Sequence, residues 1–244
     1  MKWKQNLLNC CAGIFILAAA AVCAGWQNSR TTAEPGAETG GSCLEEKERS
    51  PAGRLALTFD DGPNSLYTEQ LLEGLKERGV RCSFFLLGQR VEENRELVRR
   101  MYEEGHLLGN HSYNHLVLNR LTDAEACRQV EKTSRILEEI TGEPTTYLRP
   151  PYGEWKEELD KRVSMIPVLW TIDSLDWSLK NTEAVVKRVT SSVKDGDIIL
   201  MHDDYATSVE AALKIVDQLQ EEGYEFVTVD ELILESVSYT HLTL

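Results

Sequence analysis

Short apolar runs in this chain end repeatedly in polar residues able to do chemistry. Leu55-Ala56-Leu57-Thr58-Phe59 leads into Asp60-Asp61-Gly62-Pro63, and Leu107-Leu108-Gly109-Asn110 into His111-Ser112-Tyr113-Asn114-His115. Thr146-Tyr147-Leu148 leads into Arg149-Pro150-Pro151-Tyr152-Gly153, and Pro167-Val168-Leu169-Trp170-Thr171-Ile172 into Asp173-Ser174-Leu175-Asp176-Trp177. Ile198-Ile199-Leu200-Met201 leads into His202-Asp203. In folds built from parallel strands the carboxyl ends of the strands lie on one face, and sites form there. A chain with this pattern is expected to gather these clusters into one metal-assisted hydrolytic site.

The spacing supports such a fold. Strands are predicted at Arg54–Phe59, Cys82–Gly88, His106–Asn110, Thr146–Arg149, Pro167–Ile172, Asp197–Met201 and Glu225–Val229. Amphipathic helices are predicted between them at Thr68–Arg78, Val91–Glu104, Thr122–Ile140, Glu154–Val163, Thr182–Val193 and Ser208–Glu222, with a terminal helix at Val229–Glu235. Leu71, Leu72 and Leu75 mark one apolar face, and Val130, Ile136, Leu137 and Ile140 another. Gly79, Gly105, Gly142 and Gly223 stand where helices should stop. Repeated strand–helix units imply a parallel sheet. At about 180 residues the folded region is shorter than the roughly 250 of an eight-unit barrel. The expected class is therefore α/β, a distorted, reduced (β/α) barrel with about seven parallel strands; a doubly wound open sheet is the runner-up.

The flanks read differently. Lys2 and Lys4 precede an apolar stretch from Leu7 to Ala24, which reads as a signal peptide or an N-terminal membrane anchor over residues 1–26. Residues 27–53 read as a flexible linker, 54–235 as the catalytic domain and 236–244 as an unassigned tail, in which His241 receives no role. The expected location is extracellular or at the cell surface. The net charge is −14, and removing residues 1–24 deletes only two lysines and makes it more negative. Such a balance excludes nucleic acid as a partner, whose phosphates demand Lys and Arg. Contact with a membrane is expected only through the N-terminal segment, and the protein is expected to be a monomer. Cys82 and Cys127 match no zinc spacing and read as small buried residues, with a disulfide between them left open.

Each cluster has a chemical reading beside a plain one. Asp60 and Asp61 would point to opposite faces of a regular strand. The turn at Gly62-Pro63 lets both reach one pocket, where one serves best as a ligand and the other as a proton acceptor; alone, the same residues make an ordinary turn. His111 and His115 have the spacing of paired imidazole ligands, on a loop rather than a helix because of the surrounding Gly, Asn and Ser. With Asp61 they make three ligands with open positions, the pattern of a catalytic ion. Arg149 can orient a carboxylate, Asp173 and Asp176 can orient partners, and Trp177 offers a flat wall to a sugar. His202 is a lone histidine given a role only by its position beside the other four clusters.

Taken in order, these motifs resemble the polysaccharide deacetylase family, the NodB-homology domain of carbohydrate esterase family 4. The resemblance rests on Thr58-Phe59-Asp60-Asp61-Gly62-Pro63, His111-Ser112-Tyr113-Asn114-His115, Arg149-Pro150-Pro151-Tyr152, Asp173-Ser174-Leu175-Asp176-Trp177 and Leu200-Met201-His202, and spans Leu55 to about Leu234. It implies a divalent metal, usually Zn2+ with Co2+, Mn2+ or Ni2+ as substitutes, held by Asp61, His111 and His115. It makes Asp60 the general base, His202 the general acid, Arg149 the residue that orients Asp60, and Asp176 a partner of that machinery. By the same likeness Tyr152 offers its backbone N–H to the oxyanion, and Trp177 and Leu200 line the acetyl pocket. The implied activity is hydrolysis of N-acetyl groups on an extracellular glycan, foremost N-acetylglucosamine of peptidoglycan. The competing expectations are chitooligosaccharides, another small C–N amide, or a catalytically silent glycan-binding module. Pro167 and the Asp203-Asp204 pair lie outside the family pattern.

Overall fold

A computed structural model describes residues 52–234. The predicted export segment, nearly all of the linker, and the tail lie outside the described residues. Among the described residues no helix is long and apolar enough to cross a membrane.

The element order is β1 (Gly53–Asp60), α1 (Tyr67–Glu77), β2 (Ser83–Leu86), α2 (Gly88–Glu93), α3 (Arg95–Glu103), β3 (Leu107–Asn110), α4 (Asp123–Thr141), β4 (Tyr147–Leu148), β5 (Ile166–Pro167), β6 (Ile172–Asp173), α5 (Asp176–Leu179), α6 (Thr182–Thr190), β7 (Ile198–His202), α7 (Ala206–Glu221) and β8 (Tyr224–Phe226). Every strand pairing is parallel. The sheet order is β5-β4-β3-β2-β1-β7-β6, with β8 added to the start of β1. This is the expected distorted (β/α) barrel.

The ring closes in an unusual way. β5 and β6 sit at opposite ends of the sheet order, yet only residues 168–171 separate them in the chain. Val168 N–H donates to Leu148 O at 2.8 Å, and Thr171 N–H donates to Ile198 O at 2.9 Å. The strand predicted at Pro167–Ile172 is thus one crossing segment in two short halves, the first bound to β4 and the second to β7. Pro167 fits because Ile166 and Val168 supply the donors to the β4 side. The missing N–H of Pro167 falls at the alternate position, away from β4.

Burial along β1 follows from its place in the middle of the sheet. Leu55 through Asp60 are all buried, as expected of a parallel strand covered on both faces. Alternation separates them. Leu55, Leu57 and Phe59 join the cluster made with Leu71, Leu75, Val209, Ile215 and Leu219 of the helices. Ala56 joins Phe85, Tyr147, Val168 and Val229 instead, and Thr58 and Asp60 share its face. Each buried Leu contributes about 1.5–3 kcal/mol, so Leu57→Ala would cost both that and a cavity between sheet and helices.

α4 shows how local sequence sets a boundary. Thr122 and Glu125 form a reciprocal capping box at its start, and Gly142, at φ 77°, ends it in the left-handed region that an L side chain resists. Its buried residues Ala126, Val130, Thr133, Leu137 and Ile140 recur at helical spacing.

Two helix predictions need correction, and one helix was missed. The helix predicted over Val91–Glu104 is two helices, broken at Asn94, whose side chain donates to Arg90 O at 2.9 Å and so competes with the helical ladder. The helix predicted over Glu154–Val163 is only a 3-10 turn at Glu157–Leu159. There Lys156 is extended, drawn to Leu121 O at 3.0 Å and Asp123 at 2.9 Å at the start of α4. The short α5 had no counterpart among the predicted helices. Cys82 and Cys127 are both free and buried.

Candidate active site

β1 ends at Asp60, whose side chain is buried. The next residue, Asp61, sits at φ 71°. That left-handed step breaks the strand alternation and turns the second carboxylate toward the cavity of the first. Gly62 is required behind them, because a Cβ there would lie 2.7 Å from Asp203 Oδ2.

His111 and His115 follow β3 on a loop, as the surrounding small polar residues predicted. Ser112 at φ 66° and His115 at φ 60° curl it. Asn110 secures the curl by accepting from Ser112 N at 2.8 Å and donating to Val130 O of α4 at 2.8 Å. The imidazole centroids stand 5.0 Å apart. His111 Nδ1 is 2.7 Å from Arg149 O. A carbonyl only accepts, so Nδ1 carries a proton and Nε2 is the nitrogen left to act as a ligand. Asp61 Oδ1 lies 3.5 Å from His111 Nε2 and 3.4 Å from His115 Nε2.

These three ligand atoms lie within 4.8 Å of one another. Asp61 Oδ1 is buried with no hydrogen-bond partner among the described residues. A buried carboxylate oxygen without a donor is costly, and a cation between it and two imidazoles removes the cost. The donor set of two nitrogens and one carboxylate oxygen suits zinc and neighbouring transition ions. Burial is the largest influence on His115 and lowers its pKa, with the His111 charge acting the same way and Asp61 opposing. The neutral, ligating form is thereby favoured.

The two remaining carboxylates each hold a cationic partner. Arg149, fully buried, donates from Nη1 to Asp60 Oδ1 at 2.7 Å and to Thr58 Oγ1 at 2.7 Å, and from Nε to Val168 O at 3.2 Å. Its guanidinium stacks over Phe85 at 4.1 Å. Asp176 Oδ1 lies 2.9 Å from His202 Nδ1, and Asp176 Oδ2 accepts the His202 backbone N–H at 2.8 Å. Burial opposes the charge on His202, but the Asp176 hydrogen bond and charge, with Asp60 and Asp61 behind it, raise its pKa to about 9. Burial is the largest influence on Asp176 and opposes its charge, but the hydrogen bonds and charge of His202 together with Ser208 outweigh it, holding the carboxyl below the usual range. β1 and β7 pair Asp60 with His202, so the two dyads are neighbours.

The residues expected to meet substrate are Tyr152, Trp177 and Leu200. Tyr152 is 61% exposed at φ 60°, with its ring 4.6 Å from that of His115. Trp177 is 51% exposed. Leu200 is buried on β7 and shares the face of His202 two residues on. Asp173 is not brought into the cluster; its carboxylate accepts from Leu175 N at 2.9 Å in a local turn.

Several participants were not marked by sequence reasoning. Ser174 donates to Asp176 Oδ1 at 3.2 Å. Thr58 stands in the apolar run and at the head of the first motif but was given no role, although its place two residues before Asp60 puts both on one face. Asp203 is fully buried behind the Asp60–Pro63 turn, bound to Thr68, and burial pushes its carboxyl up to about 7. Its neighbour Asp204 pairs with Arg90.

A parallel barrel with three residues able to hold a metal and two buried carboxylate–cation pairs at its strand ends defines the class of fold to which the chain is compared, and known proteins resemble it closely. The polysaccharide deacetylase family profile matches residues 47–168. Peptidoglycan-N-acetylmuramic acid deacetylase PdaC of Bacillus subtilis is 44% identical over 178 residues, 73% of this chain and 38% of that protein. Peptidoglycan-N-acetylglucosamine deacetylase PgdA of Listeria monocytogenes is 39% identical over 184 residues, 75% of this chain and 40% of that protein. The solved structure of PdaC from Bacillus subtilis superposes with a TM-score of 0.74 at 42% identity, covering 78% of this chain and 93% of that one. The chain belongs to the polysaccharide deacetylase family, carbohydrate esterase family 4. It spans about two fifths of the length of the curated relatives PdaC and PgdA.

Proposed function

We propose that this protein removes N-acetyl groups from the sugars of peptidoglycan, with a divalent ion, foremost zinc, held by Asp61, His111 and His115. The observation that carries the reading is the meeting of three ligand atoms within 4.8 Å with two separately partnered acid–base groups beside them. The relatives' names support peptidoglycan, and they include enzymes named for each of its two amino sugars. N-acetylglucosamine residues are the substrate proposed first.

When bound, the ion lowers the pKa of water and polarises the amide carbonyl. Asp60 Oδ1 is committed to Arg149, which leaves Oδ2 to accept a proton from the attacking water. His202 Nδ1 is committed to Asp176, which leaves Nε2 to give a proton to the departing amine. The Tyr152 backbone N–H is assigned to the developing oxyanion, where an oriented donor is worth most. Trp177 and Leu200 are assigned to the sugar and the acetyl methyl. Export or anchoring by residues 1–26, action outside the cell membrane and a monomeric state are part of the proposal.

The test is release of acetate and of free amines from peptidoglycan and from chitin oligomers, followed by mass spectrometry with and without chelator. Chelator-sensitive loss of acetyl groups from peptidoglycan is expected. Action on chitin oligomers alone would replace the substrate, and no release from either would refute the reading.

A further inference from the structure

Thr58 lies inside the sheet with no exposed surface, and its hydroxyl contacts one other strand and the residue that follows another. Oγ1 is 2.7 Å from Ile199 O on β7. It is also 2.7 Å from Nη1 of Arg149, the residue that follows β4. A hydroxyl has one proton to donate. Ile199 O can only accept, so the proton goes there. Arg149 Nη1 can only donate, so it addresses the oxygen lone pairs. The hydroxyl is therefore oriented one way only.

Arg149 Nη1 carries two hydrogens, one for Thr58 and one for Asp60 Oδ1. The other contacts leave the guanidinium freedom. The Phe85 and Trp170 rings, 4.1 and 5.8 Å away, tolerate sliding. Nε reaches Val168 O at 3.2 Å, and Nη2 has no hydrogen-bond partner among the described residues. Thr58 is thus the contact that fixes which way Nη1 presents its second hydrogen.

We propose that Thr58 is a positioning residue: through its hydroxyl it locks Arg149 against Asp60 and ties that pair to β7, the strand that carries His202. The proposal rests on the deacetylase reading for its kinetic consequence but not for its geometry. Ile199 alone would satisfy a buried threonine. The second bond, to Arg149, is what a merely structural role does not require.

Thr58→Val removes the hydroxyl at similar volume, and Thr58→Ser keeps it. The Val variant should bind zinc like the parent and keep KM within about twofold, while kcat falls about tenfold or more through misplacement of the base. The Ser variant should recover most of that loss. In a crystal structure of the Val variant, Arg149 Nη1 and Asp60 Oδ1 should separate beyond the roughly 3.5 Å limit of a hydrogen bond. Should Val fail to fold, Thr58→Ala reads the same quantities without added bulk. A parent-like kcat in folded Val or Ala variants overturns the proposal, as does an equal loss in Ser, which would assign the effect to the methyl group. An unmoved Arg149–Asp60 pair overturns it whatever the activity. A parent inactive on every glycan, with the pair displaced in the Val structure, sinks the deacetylase reading and leaves the positioning intact.

Discussion

His202 is held twice by Asp176, through Nδ1 at 2.9 Å to one carboxylate oxygen and through its backbone N–H at 2.8 Å to the other. The double grip fixes the ring and the strand end together, and it keeps the imidazole charged. With its pKa raised to about 9, His202 keeps its proton across neutral pH and releases it only above. kcat/KM should be bell-shaped in pH, with this histidine on the basic limb.

Asp176→Asn should move that limb toward the ordinary histidine value of about 6.5, since the carboxylate is the main cause of the upward shift. At pH 8 the variant should lose most of the parent rate, and at pH 6 much less. A pH–rate series on parent and variant checks this; an unmoved basic limb would assign it to another group.

Asp60→Asn tests the base. The amide keeps the shape of the side chain and can still accept from Arg149, so folding and zinc content should be unchanged. Turnover should fall at least about 100-fold, the lower scale of general-base catalysis. Loss of zinc together with rate would mean that Asp60 belongs to the ligand set.

His115→Ala tests the ligand set from the other side. The ring is half-buried at the edge of the cluster, and its removal should leave the circular dichroism spectrum unchanged. Zinc occupancy, read by elemental analysis after dialysis, should fall with activity. Full occupancy at the parent's affinity would remove His115 from the site.

His106 carries a prediction about stability. It is buried at the far end of β3 from the ligands, and its Nδ1 accepts the backbone N–H of Cys82 at 3.0 Å. Burial lowers its pKa to about 4. The fold therefore prefers the neutral ring, which stabilises fully above the unfolded value of about 6.5 and loses its effect as pH falls toward 4. The gap corresponds to a loss on the order of 3 kcal/mol. Urea unfolding at pH 7 and pH 4.5 should show a steeper loss in the parent than in His106→Gln, which cannot take up the proton. Equal slopes would show that His106 does not titrate with folding.

Much of the site was legible because its residues come in short local clusters. Asp60-Asp61 and His111–His115 need only a local turn to converge, and glycine, asparagine and proline announce those turns. The Arg149–Asp60 and His202–Asp176 pairs join distant strands, and only the family resemblance linked them. Thr58 was illegible for another reason: a threonine in an apolar run is an ordinary strand residue until its neighbours across the sheet are known. The helix expected at 154–163 failed because Lys156 finds better partners on α4 than in its own ladder, a tertiary contact that periodicity does not carry. The single strand expected at Pro167–Ile172 reads correctly as apolar and extended, but its change of neighbour from β4 to β7 is a property of the ring.

That change of neighbour gives the barrel a seam. Its two sides hold on by strands of two residues each, where the middle of the sheet has longer and more deeply buried partners. Val168, on the seam, is also the residue whose carbonyl receives Nε of Arg149. A fluctuation that parts the seam loosens the guanidinium while the rest of the sheet stays paired. On warming, the proposed activity should fall silent before the fold melts.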